Sequence, residues 1–292
     1  MPRAPSADPT VRTKRGLRLG FWAGRALVYF VVMFLGFFYM MPFFWMLSTS
    51  VKPGYEIFLI PPKWIPSVFS WENYWVPWDN LPFLRFYQNT VLITLISMIG
   101  TLLSASLVAF GFARMRFRGR DVLFLLVLAT MMLPGQVTLI PTYVLWTQLG
   151  AVNTYWPLIL PSFFGGAFNI FLLRQYMMTI PLEYDDAARI DGASWFQIYT
   201  RVVMPMSAPA LGVIAIFSFN GHWTEYLGPL IYLNDYNLFT LSLGLQMLNS
   251  RYSVAIQQTM AQTIISIIPV LITFFAAQRF YIQGIVISGV KG

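Results

Sequence analysis

Five long intervals of this sequence contain no Asp, Glu, Lys or Arg, and they limit the possible folds more than any other feature. A helix that crosses the hydrocarbon core of a bilayer needs about 20 largely apolar residues. Only 10% of the residues are charged and 57% are hydrophobic, whereas about 25% charged residues is usual in soluble domains. We therefore predict a membrane protein. The charge-free intervals are 26–51, 86–113, 122–173, 202–224 and 252–278.

The interval 122–173 is too long for one crossing, so we predict that it contains two helices. Its break is expected at 150–154, a polar and turn-prone stretch near its centre. The predicted fold class is an all-α, polytopic membrane protein with six transmembrane helices. Their approximate bounds are 23–48, 86–112, 121–147, 156–178, 206–232 and 259–282.

Residues 1–20 form a basic tail that is too polar to be buried and is expected to be partly disordered. A secretory signal is the competing interpretation, but its apolar core would span only about 7–15 residues. The charge-free interval 26–51 is longer than that and is expected to remain as a membrane span. Residues 21–292 are then predicted to form a single transmembrane domain.

The charge distribution indicates the topology. The net charge is +8, but the basic residues fall in short blocks between apolar intervals, which disfavours a nucleic-acid partner. With a cytoplasmic N-terminus, 15 of the 19 Lys and Arg residues lie in cytoplasmic segments. Since basic residues concentrate on the cytoplasmic side, both termini and residues 181–205 are predicted to be cytoplasmic. The chain has no Cys, so disulfides and thiolate sites are excluded.

Residues 181–205 are the only long segment between apolar intervals that is both charged and patterned as helix. Glu183, Asp185 and Asp186 fall in a predicted first turn, where the helix dipole favours carboxylates. Gly192 can adopt the left-handed conformation that commonly ends a helix. The pattern predicts a short acidic helix followed by a fixed turn.

A second, amphipathic helix is predicted after this turn. Ser194 and Gln197 have the spacing of a capping box, and Pro205 is expected to end the helix. An amphipathic segment lying on the membrane surface is the alternative, but such helices favour Lys and Arg on their polar face, and this one begins with acids.

This helix, turn, helix and Pro arrangement is similar to the EAA loop of ABC-importer membrane subunits, which reads Glu-Ala-Ala, three residues, Gly, and a Leu-Pro further on. Here Asp186 stands for the Glu and Met204 for the Leu. The departure leaves open whether Glu183 or Asp186 meets a basic partner. By this resemblance the ATPase-coupling residues are Glu183, Asp186, Ala187, Ala188, Asp191, Gly192 and Pro205.

Four further stretches resemble the carbohydrate-uptake branch of ABC importers: 42–52, 109–114 with 119–120, 223–226 and 284–292. They are most similar to its second, six-helix permease of the maltose and glycerol-phosphate type. The resemblance implies a sugar substrate and a place in the prokaryotic cytoplasmic (inner) membrane, in contact with membrane lipid. It also implies three kinds of partner: a second permease, two ATPase subunits and an extracytoplasmic solute-binding protein.

The sequence contains no G-x-x-x-x-G-K-[ST] phosphate-binding loop, so ATP and magnesium are expected in the partner ATPase subunits and no cofactor in this chain. It has one His and no H-E-x-x-H, and we predict neither a metal site nor a catalytic residue. The chain is therefore expected not to be an enzyme by itself.

A polar patch near the end of the fifth predicted helix is a possible substrate pathway. It consists of Asn220, His222, Trp223 and Glu225. Sugar hydroxyls take hydrogen bonds and a sugar face stacks on Trp, but polar residues also join helices within a bundle. A membrane acid would equally serve an ion-coupled secondary carrier, and a non-conducting assembly subunit is a third interpretation.

The outer segment 51–85 is rich in Pro and Trp. Indole rings are favoured at the membrane interface, so the segment is either an interfacial belt or a surface for an extracellular ligand-delivery protein.

Overall fold

The computed structural model of the chain describes residues 9–251 and 255–289. Within these ranges the regular secondary structure is helical and no strand occurs. The predicted all-α fold class is therefore confirmed. Residues 1–8 of the predicted tail and residues 290–292 of the C-terminal stretch lie outside the described part of the chain.

The first helix begins earlier than predicted. It starts at Pro9, inside the predicted tail, and continues to Ser50. The α-helices, in chain order, are α1 (Pro9–Ser50), α2 (Val76–Asn80), α3 (Phe83–Arg114), α4 (Arg120–Ala129), α5 (Gly135–Gln148), α6 (Trp156–Ile159), α7 (Ala167–Thr179), α8 (Glu183–Ile190), α9 (Trp195–Ile198), α10 (Met204–Met206), α11 (Ala208–Trp223), α12 (Leu227–Tyr232), α13 (Leu241–Arg251) and α14 (Ile256–Gly289).

Four helical stretches in the described residues are long and apolar enough to cross a membrane by themselves. Two further pairs of helices pass the same test together, which brings the number of candidate spans to as many as six. The four single spans are Gly24–Ser50, Phe83–Arg114, Trp156–Thr179 and Ile256–Ala276.

The helix predicted at 121–147 is broken. Arg120–Met132 and Gly135–Gln148 meet at an angle of 97°. Leu133, between them, has an extended backbone with φ −83° and ψ 116°. The cause is Pro134, because a proline disfavours the helical conformation in the residue before it.

The helix predicted at 206–232 begins at a bend and is interrupted once further on. Trp195–Met206 and Ala208–Trp223 meet at 78°, and α11 and α12 are separated by residues 224–226. Pro209 lies in the first turn of α11, where the missing N–H of a proline is tolerated. The new helix can therefore begin directly after the bend.

Helix α3 is the centre of the bundle and packs against α7, α11 and the 3-10 turn at residues 160–164. Gly100 permits the close contact with this turn, because a Cβ there would lie 2.6 Å from the ring of Phe163. The hydroxyl of Ser104, one turn further, is shared between Gly100 O at 2.7 Å and Ser162 O at 3.1 Å. The hydroxyl thus satisfies a carbonyl of an irregular segment within the span, as a membrane interior requires.

The two ends of α3 lie in separate buried clusters. Near the N-terminal end, Phe83 and Phe86 pack with Trp223 and Leu241. Near the C-terminal end, Phe110 and Phe112 belong to a cluster that includes residues of the 181–205 loop. The loop and the outer segment 51–85 are therefore at opposite ends of α3, which is the arrangement that the predicted topology requires.

Candidate functional site

The acidic helix and its turn, predicted within 181–205, are present. Helix α8 has Glu183 in its first turn, and Gly192, just after the helix, has φ +81°. The Gly192 N–H donates to Arg189 O at 3.0 Å and the Ala193 N–H donates to Ala188 O at 2.9 Å. These two bonds form a Schellman motif, which satisfies the last carbonyls of the helix.

The capping box that begins the second helix is also present. The Ser194 N–H donates to Gln197 Oε1 at 2.8 Å, and the Gln197 N–H donates to Ser194 Oγ at 3.3 Å. The helix before the Gly192 turn and the helix after it are thus both capped by hydrogen bonds between residues that are close in sequence. The turn is a defined structural element with little need of support from the bundle.

Two aromatic residues connect the second helix to α3: Tyr199, and Trp195, whose ring centroid lies 6.4 Å from that of Phe110. Tyr199 is buried, its hydroxyl lies 2.8 Å from Ser106 Oγ, and its ring centroid lies 5.3 Å from that of Phe110. Phe196, on another face of the helix, is 68% exposed. Tyr199 is therefore the buried, hydrogen-bonded anchor between this helix and α3, and Trp195 adds a more exposed ring contact.

Pro205 does not end the second helix as predicted. A π-helical turn covers Tyr199–Val203, α10 continues to Met206, and the chain bends at Ser207. A proline cannot donate to the carbonyl four residues earlier, here that of Arg201, and its ring would clash with it in an α-helix. The wider π turn places that carbonyl differently, so the helix passes the proline before it bends.

The acids of the loop have different environments. Glu183, Asp186 and Asp191 are exposed, whereas Asp185 is buried. Asp185 Oδ2 lies 3.3 Å from Arg114 Nε at the end of α3, close enough for an ion pair but not aligned as a hydrogen bond. Burial raises the pKa of Asp185, and the charge of Arg114 opposes this effect.

Arg114, which is not among the predicted site residues, joins three elements. Besides Asp185 it contacts the residue that follows α7, since Arg114 Nη2 donates to Ile180 O at 3.0 Å. Next to it, a cavity of about 670 Å³ lies between the α3–α4 connection and α8. No short-range pattern could have identified this pair, because its two residues are far apart in sequence.

The four residues of the predicted polar patch do not share one role. Trp223 is only 6% exposed, its indole N–H donates to Ser266 O at 3.0 Å, and its ring stacks on Phe219 at 5.4 Å. Glu225 is exposed and accepts a hydrogen bond from the Gly228 N–H at 2.9 Å, at the start of α12. These placements favour packing for Trp223 and helix capping for Glu225.

Asn220 and His222 are better placed for a ligand. Both are half-buried on α11. His222 Nε2 lies 3.3 Å from Ser162 Oγ, and Asn220 Oδ1 is buried with no hydrogen-bond partner in the described part of the chain. An unsatisfied acceptor inside a span is costly, and so Asn220 is a candidate for a hydrogen bond from outside this chain, either from a hydroxylated substrate or from a neighbouring helix.

These features define a class of protein: a polytopic helical membrane protein that presents a rigid, acid-bearing two-helix loop at one end of its bundle. The chain belongs to the family described as binding-protein-dependent transport system inner membrane component, which matches residues 98–286. That range includes the whole loop and most of the bundle. The chain is therefore the membrane component of a transport system and not an enzyme by itself.

Comparison with known proteins agrees with this family. The arabinooligosaccharides transport system permease protein AraQ of Bacillus subtilis (strain 168) is 33% identical over 270 residues, which cover 91% of this chain and 95% of that protein. The resemblance to ABC-importer permeases inferred from the sequence is thereby confirmed.

Two solved structures share the fold. A chain of a bacterial ABC transporter involved in the import of the acidic polysaccharide alginate superposes with a TM-score of 0.77 at 22% identity, covering 95% of this chain and 100% of that one. A chain of a bacterial alginate ABC transporter in complex with an alginate pentasaccharide-bound periplasmic protein gives a TM-score of 0.63 at 15% identity, covering 90% and 94%.

Proposed function

We propose that this chain is one of two permease subunits of an ATP-driven importer that moves an oligosaccharide across the prokaryotic cytoplasmic membrane. An extracytoplasmic binding protein delivers the sugar. The name of the arabinooligosaccharide relative supports the substrate class, and the alginate transporter bound to a periplasmic protein supports the mode of delivery. The observation that carries the proposal is the doubly capped loop with exposed acids on α8.

The exposed face of α8 has the composition of a docking surface. Glu183 and Asp186, together with Asp191 directly after the helix, supply exposed carboxylates. Tyr184 and Ile190 are 52% and 87% exposed. An apolar centre with a charged rim is the usual anatomy of a protein interface, and the charges set its partner and orientation. This face fits a groove with basic residues at its rim, one on each of two ATPase subunits in the complex.

In this assembly the loop faces the cytoplasm, where the ATPase subunits hold ATP and magnesium. ATP binding draws those subunits together, and α8 passes their displacement to the bundle. On α11, Asn220 and His222 offer hydrogen bonds to sugar hydroxyls along a pathway shared with the second permease. The N- and C-termini are on the cytoplasmic side, as the positive-inside rule requires.

Co-purification and reconstitution test the proposal. After mild solubilisation, the tagged chain should recover a second permease and two ATPase subunits. Proteoliposomes containing this complex should take up arabinooligosaccharides only when both ATP and the binding protein are present. A chain recovered alone that moves solute with an ion gradient would instead support the secondary-carrier interpretation.

A charge reversal on α8 tests the docking surface. Asp186→Lys should reduce recovery of the ATPase subunits, because the new cation faces both the positive end of the helix dipole and a basic groove. Asp79→Lys is the matched control, since Asp79 is also an exposed acid but lies at the opposite end of the bundle. Equal ATPase recovery with both variants would show that α8 is not the docking surface.

A further inference from the structure

We propose that the buried ion pair between Arg114 and Asp185 is the positioning link through which displacement of α8 reaches the transmembrane helix α3. The inference rests on the proposed function, in which α8 docks on an ATPase subunit. Docking concerns the exposed face of α8, whereas this link concerns its opposite, buried face.

The geometry concentrates the connection on one guanidinium. The side chains of Arg114 and Asp185 are 1% and 6% exposed, with Nε and Oδ2 3.3 Å apart. Arg114 is the last residue of α3, a helix of 32 residues, and its Nη2 also holds Ile180 O at 3.0 Å. A force applied to Asp185 is therefore delivered to the end of a long, rigid helix and to the residue at which α7 ends.

No other side chain of α8 has this placement. Asp185 is the buried residue of α8, Ala188 is half-buried, and the remaining positions are exposed. The aromatic anchor at Tyr199 lies beyond the Gly192 turn and fastens the second helix. Within the described residues, the acidic helix is thus joined to α3 by an ionic contact and little apolar packing.

A buried ion pair is a poor device for stability alone. Its desolvation penalty is large, and well-packed apolar residues often stabilise a protein as well or better. An ion pair instead fixes the relative position of the two side chains that form it. This pair can also form further hydrogen bonds, because Arg114 Nε and Asp185 Oδ1 make none. Arginine–carboxylate pairs commonly form two parallel bonds. When α8 moves into the adjoining cavity of about 670 Å³, the two side chains can therefore exchange which nitrogen and oxygen atoms are in contact and still remain paired.

The reconstituted complex provides the test, with the ratio of solute moved to ATP hydrolysed as the measurement. Asp185→Asn keeps the shape of the side chain and removes its charge. We expect this variant to recover the ATPase subunits normally and to hydrolyse ATP, while the transport ratio falls at least about fivefold, the lower limit of usual coupling energies. Asp185→Glu, which keeps the charge, should restore most of the ratio. Arg114→Gln, which keeps a donor for Ile180 O, should resemble Asp185→Asn, and the double variant should lose no more than either single variant.

The control is Asp121→Asn. Asp121 pairs with Arg120 at 2.9 Å, but its side chain is 75% exposed, so the transport ratio should not change. The link would be overturned if Asp185→Asn and Arg114→Gln both move as much solute per ATP hydrolysed as the parental protein. It would also be overturned if this ratio is unchanged in the variants while their recovery of ATPase subunits falls. If Asp185→Asn does not reach the membrane, Arg114→Gln decides between the same outcomes. If the parental chain recovers no ATPase subunits, the proposed function fails, and that result is distinct from a failure of the link.

Discussion

Replacement of Gly192 by Val tests whether the shape of the loop is needed for coupling. Gly192 has φ +81°, and a Cβ added there would meet no heavy atom within 4 Å. Steric conflict with neighbours is therefore absent, and the cost is that of the backbone conformation. This cost is about 1–2 kcal/mol for an ordinary L-residue and greater for a β-branched one.

The size of the effect follows from this cost. A penalty of about 2 kcal/mol lowers the population of the native turn relative to open forms roughly 30-fold, since about 1.4 kcal/mol corresponds to a factor of ten. If the ATPase subunits bind only the native turn, their apparent affinity falls by up to roughly this factor. The transmembrane helices are not affected, so the amount of protein in the membrane should be unchanged.

The assay compares Gly192→Val with Gly192→Ala and Gly192→Asn. Asn adopts the left-handed conformation more easily than other side-chain-bearing residues, so ATPase affinity and solute uptake should decrease in the order Gly, Asn, Ala, Val. Membrane abundance, measured by immunoblot, should be the same for all four proteins. Parental affinity and uptake in Gly192→Val would refute the reasoning, as would a loss of abundance that accounts for the loss of uptake.

Three further predictions concern structural contacts. Asn153, with φ +64°, accepts hydrogen bonds from the backbone of residues 234–235 at 2.8 and 2.7 Å, so Asn153→Ala should lower the free energy of unfolding in detergent by about 1–3 kcal/mol. Glu225→Ala should lower the unfolding temperature because it removes the acceptor for the Gly228 N–H, whereas Glu225→Gln keeps an acceptor and should not. If Glu225→Gln changes the sugar preference of transport, Glu225 belongs to the substrate pathway after all. Burial lowers the pKa of Lys52 from its ordinary value of 10.5. The free energy of unfolding of the parental protein should therefore rise with pH between the folded-state pKa and 10.5. Thermal unfolding measured from pH 7 to 10 should show this rise in the parental protein and not in Lys52→Met.

The loop could be predicted from sequence because its determinants are local. The acids of the first turn of α8, Gly192 and the Ser194–Gln197 pair each act on backbone groups within a few positions. The bend between α4 and α5 and the break between α11 and α12 were missed because counting uncharged residues measures the length of an interval and takes no account of the direction of the chain. Pro134, inside the interval 122–173, was the visible signal for the first bend.

Roles that depend on tertiary contacts were outside the reach of local patterns. Asp185 and Asp186 are adjacent acids in sequence, yet one is buried against Arg114 and the other is exposed. Trp223 similarly combines an aromatic face with a polar N–H, and only the position of Ser266 on α14 shows that the N–H is already satisfied. Residue type and spacing therefore predicted the candidate residues, while the fold shows which of them are buried, hydrogen-bonded or exposed.

The hydrogen-bonded closure on both sides of Gly192 has an evolutionary consequence. Since local hydrogen bonds determine the conformation of the loop, the same loop could occur on any helical bundle that has an arginine in position to pair with Asp185. The sequences of the membrane helices can then change to suit other substrates without a matching change in the proposed ATPase partner. Under the proposed function, one kind of ATPase subunit could therefore serve more than one permease that carries this loop.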